Sequence, residues 1–231
     1  PWATRVAMQT AGGRDWLTHE IPRASSVVIP NPCAFPLPEG TPRIEPDAIV
    51  PECTRLLLAV GRLGQEKQFD LLIRAFATLA RRFPDWHLVI LGEGAERAAL
   101  EAQVAAEGLS ERVHLPGRVG NLGDWYQRAD LYAMSSRFEG FPNTLMEAMA
   151  HGLPAVSHDC ATGPAELIAD GENGYLVAPE AGPKELATRL ARLMGDARLR
   201  STFGARAAEV RVRFSLERVG AEWDRVLGVE E

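Results

Sequence analysis

The chain reads as an α/β domain, a Rossmann-like parallel sheet with helices on both faces. Two observations predict this. From Arg55 onward, short apolar runs alternate with segments patterned as helices. In addition, 231 residues with 46% hydrophobic content can bury a full core of ordinary globular composition. Strand and helix in strict alternation require crossovers, and crossovers cover both faces of a parallel sheet.

The elements follow in order. Gly12 to Glu20 reads as the end of a helix and Ser26 to Ile29 as a strand. Pro30 to Pro51 is too rich in proline for regular structure and reads as a linker. Leu56 to Val60 is a buried strand, and Leu71, Leu72, Ala75, Phe76 and Leu79 form a helical stripe after it. His87 to Leu91 is the next strand, with a helix over Ala95 to Ala106. Val113 to Leu115, Asp130 to Ala133, Pro154 to Ser157 and Tyr175 to Val177 are four further strands. Three helices close the chain, over Lys184 to Met194, Ala197 to Val212 and Leu216 to Leu227, with Phe214-Ser215 as turn and cap before the last. The expected division is residues 1–32 as the tail of one domain, 33–53 as linker and 54–231 as a complete domain.

Charge and cysteine content narrow the classes of function. A net charge of −6 and a pI near 5.5 argue against a nucleic-acid binder. No apolar run is long enough to span a bilayer, and the opening from Pro1 lacks the pattern of a signal peptide. Cys33, Cys53 and Cys160 are odd in number and widely spaced, which disfavours a disulfide framework or a zinc site. The expected location is cytoplasmic, with the inner face of a membrane as an alternative.

Several motifs invite a chemical reading. Gly61-Arg62 follows the first strand of the complete domain, with Lys67 five residues beyond Arg62. Ligands of doubly wound sheets bind at the carboxyl ends of strands, so both cations are placed for an anion. Glu139 and Glu147 bracket Gly140, Phe141, Pro142, Asn143, Thr144, Leu145 and Met146, a turn running into a helix. Asn143 or Thr144 should begin that helix, whose free amides and dipole favour a phosphate. Thr144-Leu145-Met146-Glu147 is also a capping-box pattern, with Glu147 folding back on the helix start. Both readings of Glu147 stand at this point. Gly92-Glu93-Gly94 fails as a dinucleotide fingerprint because Arg97 occupies the third glycine position. Gly163-Pro164 should open a helix with proline at its first position. The five histidines and Cys160 read as structural, and Trp16, Trp86, Trp125 and Trp223 as core or interface residues.

Glu-Gly-Phe-Pro-Asn-Thr-Leu-Met-Glu-Ala-Met-Ala (139–150) resembles the Glu-x7-Glu signature of the retaining nucleotide-sugar glycosyltransferases of family four, which have the two-domain GT-B fold. The resemblance covers about residues 27–228, with its most specific motifs between Gly61 and Val177. It implies that this chain is the C-terminal, donor-binding half, and that Ile29-Pro30-Asn31-Pro32 closes an otherwise missing acceptor domain. Glu139 would then bind donor-sugar hydroxyls near the anomeric centre and Glu147 the ribose hydroxyls. Amides over Phe141 to Leu145 would meet sugar and phosphates, and backbone atoms near Val119, in Gly117-Arg118-Val119, would meet the base. Arg62 and Lys67, in a pattern similar to Gly-Arg-Leu-x3-Lys, would stabilise the departing diphosphate. No Asp-x-Asp occurs, so the expected chemistry uses no metal, and no cofactor is expected besides the donor.

Asp159-Cys160-Ala161-Thr162-Gly163-Pro164-Ala165-Glu166 is similar to a bacterial subset that builds surface polysaccharides and lipid-linked oligosaccharides, usually from UDP-sugars. The implied partners are thus a UDP-sugar donor and a glycan or lipid-linked acceptor, reached through the missing domain, with peripheral membrane association of the full enzyme. The chain alone would be inactive. The alternatives are a nucleotide-sugar-binding subunit that needs a separate acceptor-binding partner and, more remotely, an epimerase, for which no acid/base pair stands out. The resemblance also implies that the last helix packs back on the other domain, leaving apolar residues around Trp223 and Val226 exposed when that domain is absent.

Overall fold

The structure, a computed structural model, describes residues 5–229; the ends of the expected first and last domains, including Pro1, lie outside them. The chain opens with β1 (Val6–Met8), α1 (Ala11–Glu20) and β2 (Ser26–Val28). The two strands pair in parallel as a sheet of their own. Thr10 caps α1 by accepting the N–H of Gly13 with its hydroxyl.

Six strands make the main sheet: β3 (Arg55–Val60), β4 (Trp86–Leu91), β5 (Val113–Gly117), β6 (Leu131–Met134), β7 (Ala155–His158) and β8 (Gly174–Val177). Between them run α2 (Phe69–Ala80), α3 (Arg97–Ala106), α4 (Leu122–Arg128), α5 (Asn143–Ala150) and the short α6 (Pro164–Leu167). After β8 come α7 (Gly182–Met194), α8 (Ala197–Ala207), α9 (Val210–Arg213) and α10 (Leu216–Leu227). All pairings are parallel, in the order β5-β4-β3-β6-β7-β8. This is the doubly wound arrangement that the alternation predicts.

Strand periodicity splits the core in two. Leu57 and Ala59 of β3, with Leu88 and Ile90 of β4, face a layer holding Phe76 of α2 and Leu190 of α7. Leu56 and Leu58, with Val89 and Leu91, face the opposite layer of Trp125, Leu145 and Met149. Successive side chains point to opposite faces, so strands covered on both sides read as unbroken apolar runs.

The structure revises several sequence expectations. α3 begins at Arg97, two residues late, because the N–H of Glu96 is held by the Leu63 carbonyl at 3.0 Å, outside any helix. The helix expected over Ala197 to Val212 is two, broken after Ala207; the short α9 turns Val210 into the core. The proline-rich segment holds one 3-10 turn, Pro46–Ala48, and is firmly fastened. Asn121 exchanges two hydrogen bonds of 3.1 Å with the backbone of Ile44, and Trp125 Nε1 donates to the Ile44 carbonyl at 3.0 Å. Trp86 and Trp125 are core residues, but Trp16 and Trp223 lie on the surface at 61% and 41% exposure. On α10, Leu216, Trp223 and Leu227 are exposed and Val226 is half-buried.

The sheet order reverses between β3 and β6, and the loops leaving their carboxyl ends must therefore diverge. One glycine closes the adjoining β4 edge. Gly92 adopts φ +144°, and a side chain there would drive into the Gly61 carbonyl oxygen. Gly92→Ala is therefore expected to destabilise the fold by about 3 kcal/mol, through strained backbone and collision with the β3 loop. Urea unfolding of the variant measures this, and a loss below about 0.5 kcal/mol would count against so close an approach.

Candidate functional site

The loop after β3 is anchored by Leu63, fully buried, and passes through a 3-10 turn, Gln65–Lys67. Gln68 then takes the left-handed conformation at φ 48° to enter α2. The loop after β6 is stitched to it: Ser135 Oγ donates to the Lys67 carbonyl at 2.7 Å, and the Arg137 N–H to the Glu66 carbonyl at 2.8 Å. This stitching brings Lys67 Nζ to 2.6 Å from Glu139 Oε1. The two side chains are 19% and 13% exposed, so the pair is largely removed from water. Arg62 is placed differently. Its guanidinium is 72% exposed and bonds Glu66 Oε1 at 2.6 Å.

The turn after Glu139 is clamped from two sides. Thr162 donates its hydroxyl to the Glu139 carbonyl. Gly163, at φ +101°, packs against Pro142 so closely that a side chain would overlap its ring. Pro142 then precedes α5, which opens at Asn143. Phe141 turns its ring into the core against Phe214, so only its backbone remains available to a ligand. In α5, Leu145, Met146, Ala148, Met149 and Ala150 are buried, which leaves Asn143, Thr144 and Glu147 as the open stripe. Residues three and four apart share a helix face, so Glu147 stands one turn above the helix start on that stripe.

The capping-box reading does not survive. α5 has no side-chain cap at its start. Thr144 Oγ1 instead accepts the Tyr132 hydroxyl at 2.9 Å, and Glu147 Oε2 accepts the Tyr126 hydroxyl at 3.0 Å. Nor are all amides of the first turn free. Asn143 N–H goes to the Phe141 carbonyl at 3.0 Å, and those of Leu145 and Met146 to Pro142 at 3.1 Å. Among the described residues, the N–H of Thr144 is the one in that turn without an acceptor.

Val119 and Arg62 meet in a cavity of about 480 Å³, with Gly61, Val60, Gly92 and Arg118. Thr41 and Pro42 complete its wall; the linker sits there because Gly40 and Gly120 exchange close backbone contacts, with Gly40 N–H to Gly120 O at 2.8 Å. Gly61 borders both parts of the site, its Cα hydrogen facing Lys67 Cε. A larger cleft, about 1050 Å³ between α2 and α7, is lined by none of these residues. The sequence missed Tyr126, Tyr132, Ser135, Thr162, Thr41 and Pro42. Their roles come from tertiary contact alone, and an isolated Tyr in an apolar run reads as core.

The chain is similar to several known proteins. A family model described as "Glycosyl transferases group 1" matches residues 42–210. Among similar proteins, an exopolysaccharide phosphotransferase of Streptomyces coelicolor, SCO2592, is 33% identical over 98% of this chain and 23% of its own length. The amylovoran biosynthesis glycosyltransferase AmsD of Erwinia amylovora is 30% identical over 97% of this chain and 62% of its own. The lipopolysaccharide core biosynthesis mannosyltransferase LpcC of Rhizobium leguminosarum is 38% identical over 73% and 50%. This chain thus spans less than two thirds of each of these relatives. Among solved structures, S. aureus TarM superimposes with a TM-score of 0.83 at 21% identity over 95% of this chain and 42% of its own. Anabaena HepE, solved with UDP and glucose, gives 0.84 at 24% over 99% and 64%.

Burial holds the Glu147 carboxyl above the ordinary carboxylate range, with the Tyr126 hydrogen bond pulling the other way. A carboxyl raised in the folded state binds more protons there than in the unfolded chain, so its contribution to stability falls as pH rises through that window. Glu147→Gln keeps an acceptor for Tyr126 and removes the buried charge. The variant is expected to be at least as stable as the parent at pH 7, with any advantage vanishing below about pH 4. Urea unfolding from pH 4 to 8 checks this; a variant less stable throughout, with an unchanged profile, would contradict it.

Proposed function

The chain belongs to the glycosyl transferases of group 1, and we propose that it is the donor-binding part of a retaining family-four enzyme. That enzyme moves a hexosyl group from a nucleotide diphosphate sugar, a UDP-sugar, to a glycan or lipid-linked acceptor. The observation that carries the proposal is the Lys67–Glu139 pair at the reversal of the sheet, beside the open stripe of α5. Two residues 72 positions apart converge where doubly wound sheets bind their ligands.

In this reading each group has spare capacity. Glu139 meets Lys67 through Oε1, leaving Oε2 for the hydroxyls of the donor sugar. The Lys67 ammonium keeps N–H donors for the diphosphate, whose charge grows as the glycosidic bond breaks. Arg62, on an exposed ion pair worth little in water, turns to the same anion without a large cost. The Thr144 N–H and the backbone from Gly140 to Leu145 meet sugar and phosphate, Glu147 holds the ribose, and the cavity at Val119 receives the base. The hydroxyls of ribose relieve the desolvation of Glu147 by donating to it. The reaction needs no metal in this scheme because Lys67 and Arg62 neutralise the leaving group.

Relatives named for sugar transfer support the reading, since AmsD and LpcC are matched over more of their length than the phosphotransferase is. The UDP in the HepE and pneumococcal GtfA structures supports the choice of base. We place residues 1–32 with the acceptor side of the enzyme, 33–53 as the connection and 54–231 as the donor domain. The chain on its own is then expected to bind donor and transfer nothing. The full enzyme would work in the cytoplasm, with its lipid-linked acceptor at the inner face of the membrane.

Isothermal titration with UDP and a UDP-sugar in EDTA tests the assignment. Glu147→Gln should weaken both ligands about tenfold, whereas Glu139→Gln should weaken the sugar-bearing donor more than UDP. Equal losses for both ligands in both variants, or binding that requires Mg²⁺, would defeat the division of roles.

A further inference from the structure

We propose that Glu166 is a positioning residue that fastens the amino-terminal segment, residues 9–14, to the loop presenting Glu139. The Glu166 carboxylate accepts the backbone N–H of Ala11 at 2.7 Å, across 155 residues of sequence. Ala11 is the first residue of α1, so the charge sits where that helix exposes unpaired amides and the positive end of its dipole. Three further contacts join the same parts. Gly12 lies under the Ala161 carbonyl, leaving only 3.0 Å between that oxygen and a side chain added at Gly12. Gln9 Nε2 donates to Asn31 Oδ1 at 2.7 Å, and Asn31 Nδ2 donates to Asn143 Oδ1 at 2.9 Å, at the first residue of α5.

The tie leads straight to the proposed sugar-binding turn. Glu166 opens from the Gly163-Pro164 turn, Gly163 packs on Pro142 and the Gly140 carbonyl, and Thr162 holds the Glu139 carbonyl. A displacement of α1 would therefore be felt at Glu139 through contacts already closed. Conversely, a ligand that fixes the Gly140–Asn143 turn stabilises the docked α1, and the coupling is reciprocal. This inference rests on the donor reading only for the identity of that ligand. The tie itself does not.

Amide hydrogen exchange on the whole chain decides it, with and without UDP. In Glu166→Ala, amides of Gly12–Arg14 should exchange about tenfold faster, with those of β3 and β4 unchanged. Glu166→Gln, which keeps an acceptor and loses the charge, should fall between. The bond can also be cut from the donor's side. Thr10 is extended and Ala11 is the first helical residue, so Ala11→Pro suits the backbone while deleting the N–H. It should speed exchange at Gly12–Arg14 as Glu166→Ala does, and the two changes combined should add little. UDP should slow exchange at Gly12–Arg14 in the parent and not in either variant. Unchanged ligand-free exchange in both variants would overturn the tie, whatever UDP does. If UDP binds no variant and not the parent, the donor reading fails while the ligand-free rates still judge the tie. Equal protection of α1 by UDP in parent and variants would overturn the coupling.

Discussion

The site depends on a constraint of topology, the reversal of strand order between β3 and β6. Where neighbouring parallel strands send their chains to opposite sides, the loops leaving their carboxyl ends separate and open a crevice. Here those loops are Gly61–Gln68 and Ser135–Pro142, and each supplies one half of the Lys67–Glu139 pair. The crevice alone would splay them. The Ser135 and Arg137 bonds to the backbone of Lys67 and Glu66 hold the two loops at one separation, so the charges meet although their strands diverge.

The electrostatics of the site follow from how little water it retains. An unpaired charge so placed would be costly, and internal pairing avoids this. Glu139 is matched by Lys67, and Glu147 by the hydroxyl of Tyr126, itself kept protonated by its burial. Glu147 is the less settled of the two. A phenol hydrogen bond compensates a buried carboxylate only in part, and the carboxyl responds by holding its proton more tightly. In the role proposed for Glu147, hydroxyl donors of a ligand would relieve this desolvation.

Much of this was legible in the sequence, and the limits have physical causes. Strands buried on both faces write themselves as apolar runs, as β3, β4 and β6 do, while β5, β7 and β8 could be read from their place in the alternation. Lys67 and Glu139 could be picked out by their resemblance to family motifs and their place after strands, and the structure brings the two together at the start of α5. Of the two readings of Glu147, the capping box is the one the structure does not form. Thr144-x-x-Glu147 has the right spacing, but Tyr132 and Tyr126 compete for the same oxygens from across the fold, and no local pattern announces them. Helix ends were missed where tertiary bonds intervene, as the Leu63 carbonyl does at Glu96. The proline-rich stretch was read as lacking regular structure, and nearly so it is, but absence of repeating hydrogen bonds is not absence of fixed position.

That stretch shows how an irregular segment becomes part of a site. Proline removes donors and fixes φ, so such a chain cannot join the sheet or lengthen a helix. Its remaining polar groups still need partners where they are buried. Around residues 40–44 they find them on the turn before α4 and on α4 itself: Gly40 and Pro42 with Gly120, and Ile44 with Asn121 and Trp125. Glycine at 120 permits a backbone approach to Gly40 and Thr41 that a side chain would block. The consequence is that Thr41 and Pro42 are held over the carboxyl ends of β3 and β4, closing a cavity that the sheet by itself leaves open. The wall of the cavity beside Val119 is thus set in part by the proline-rich segment, and any movement of Thr41 and Pro42 must alter the space the cavity offers.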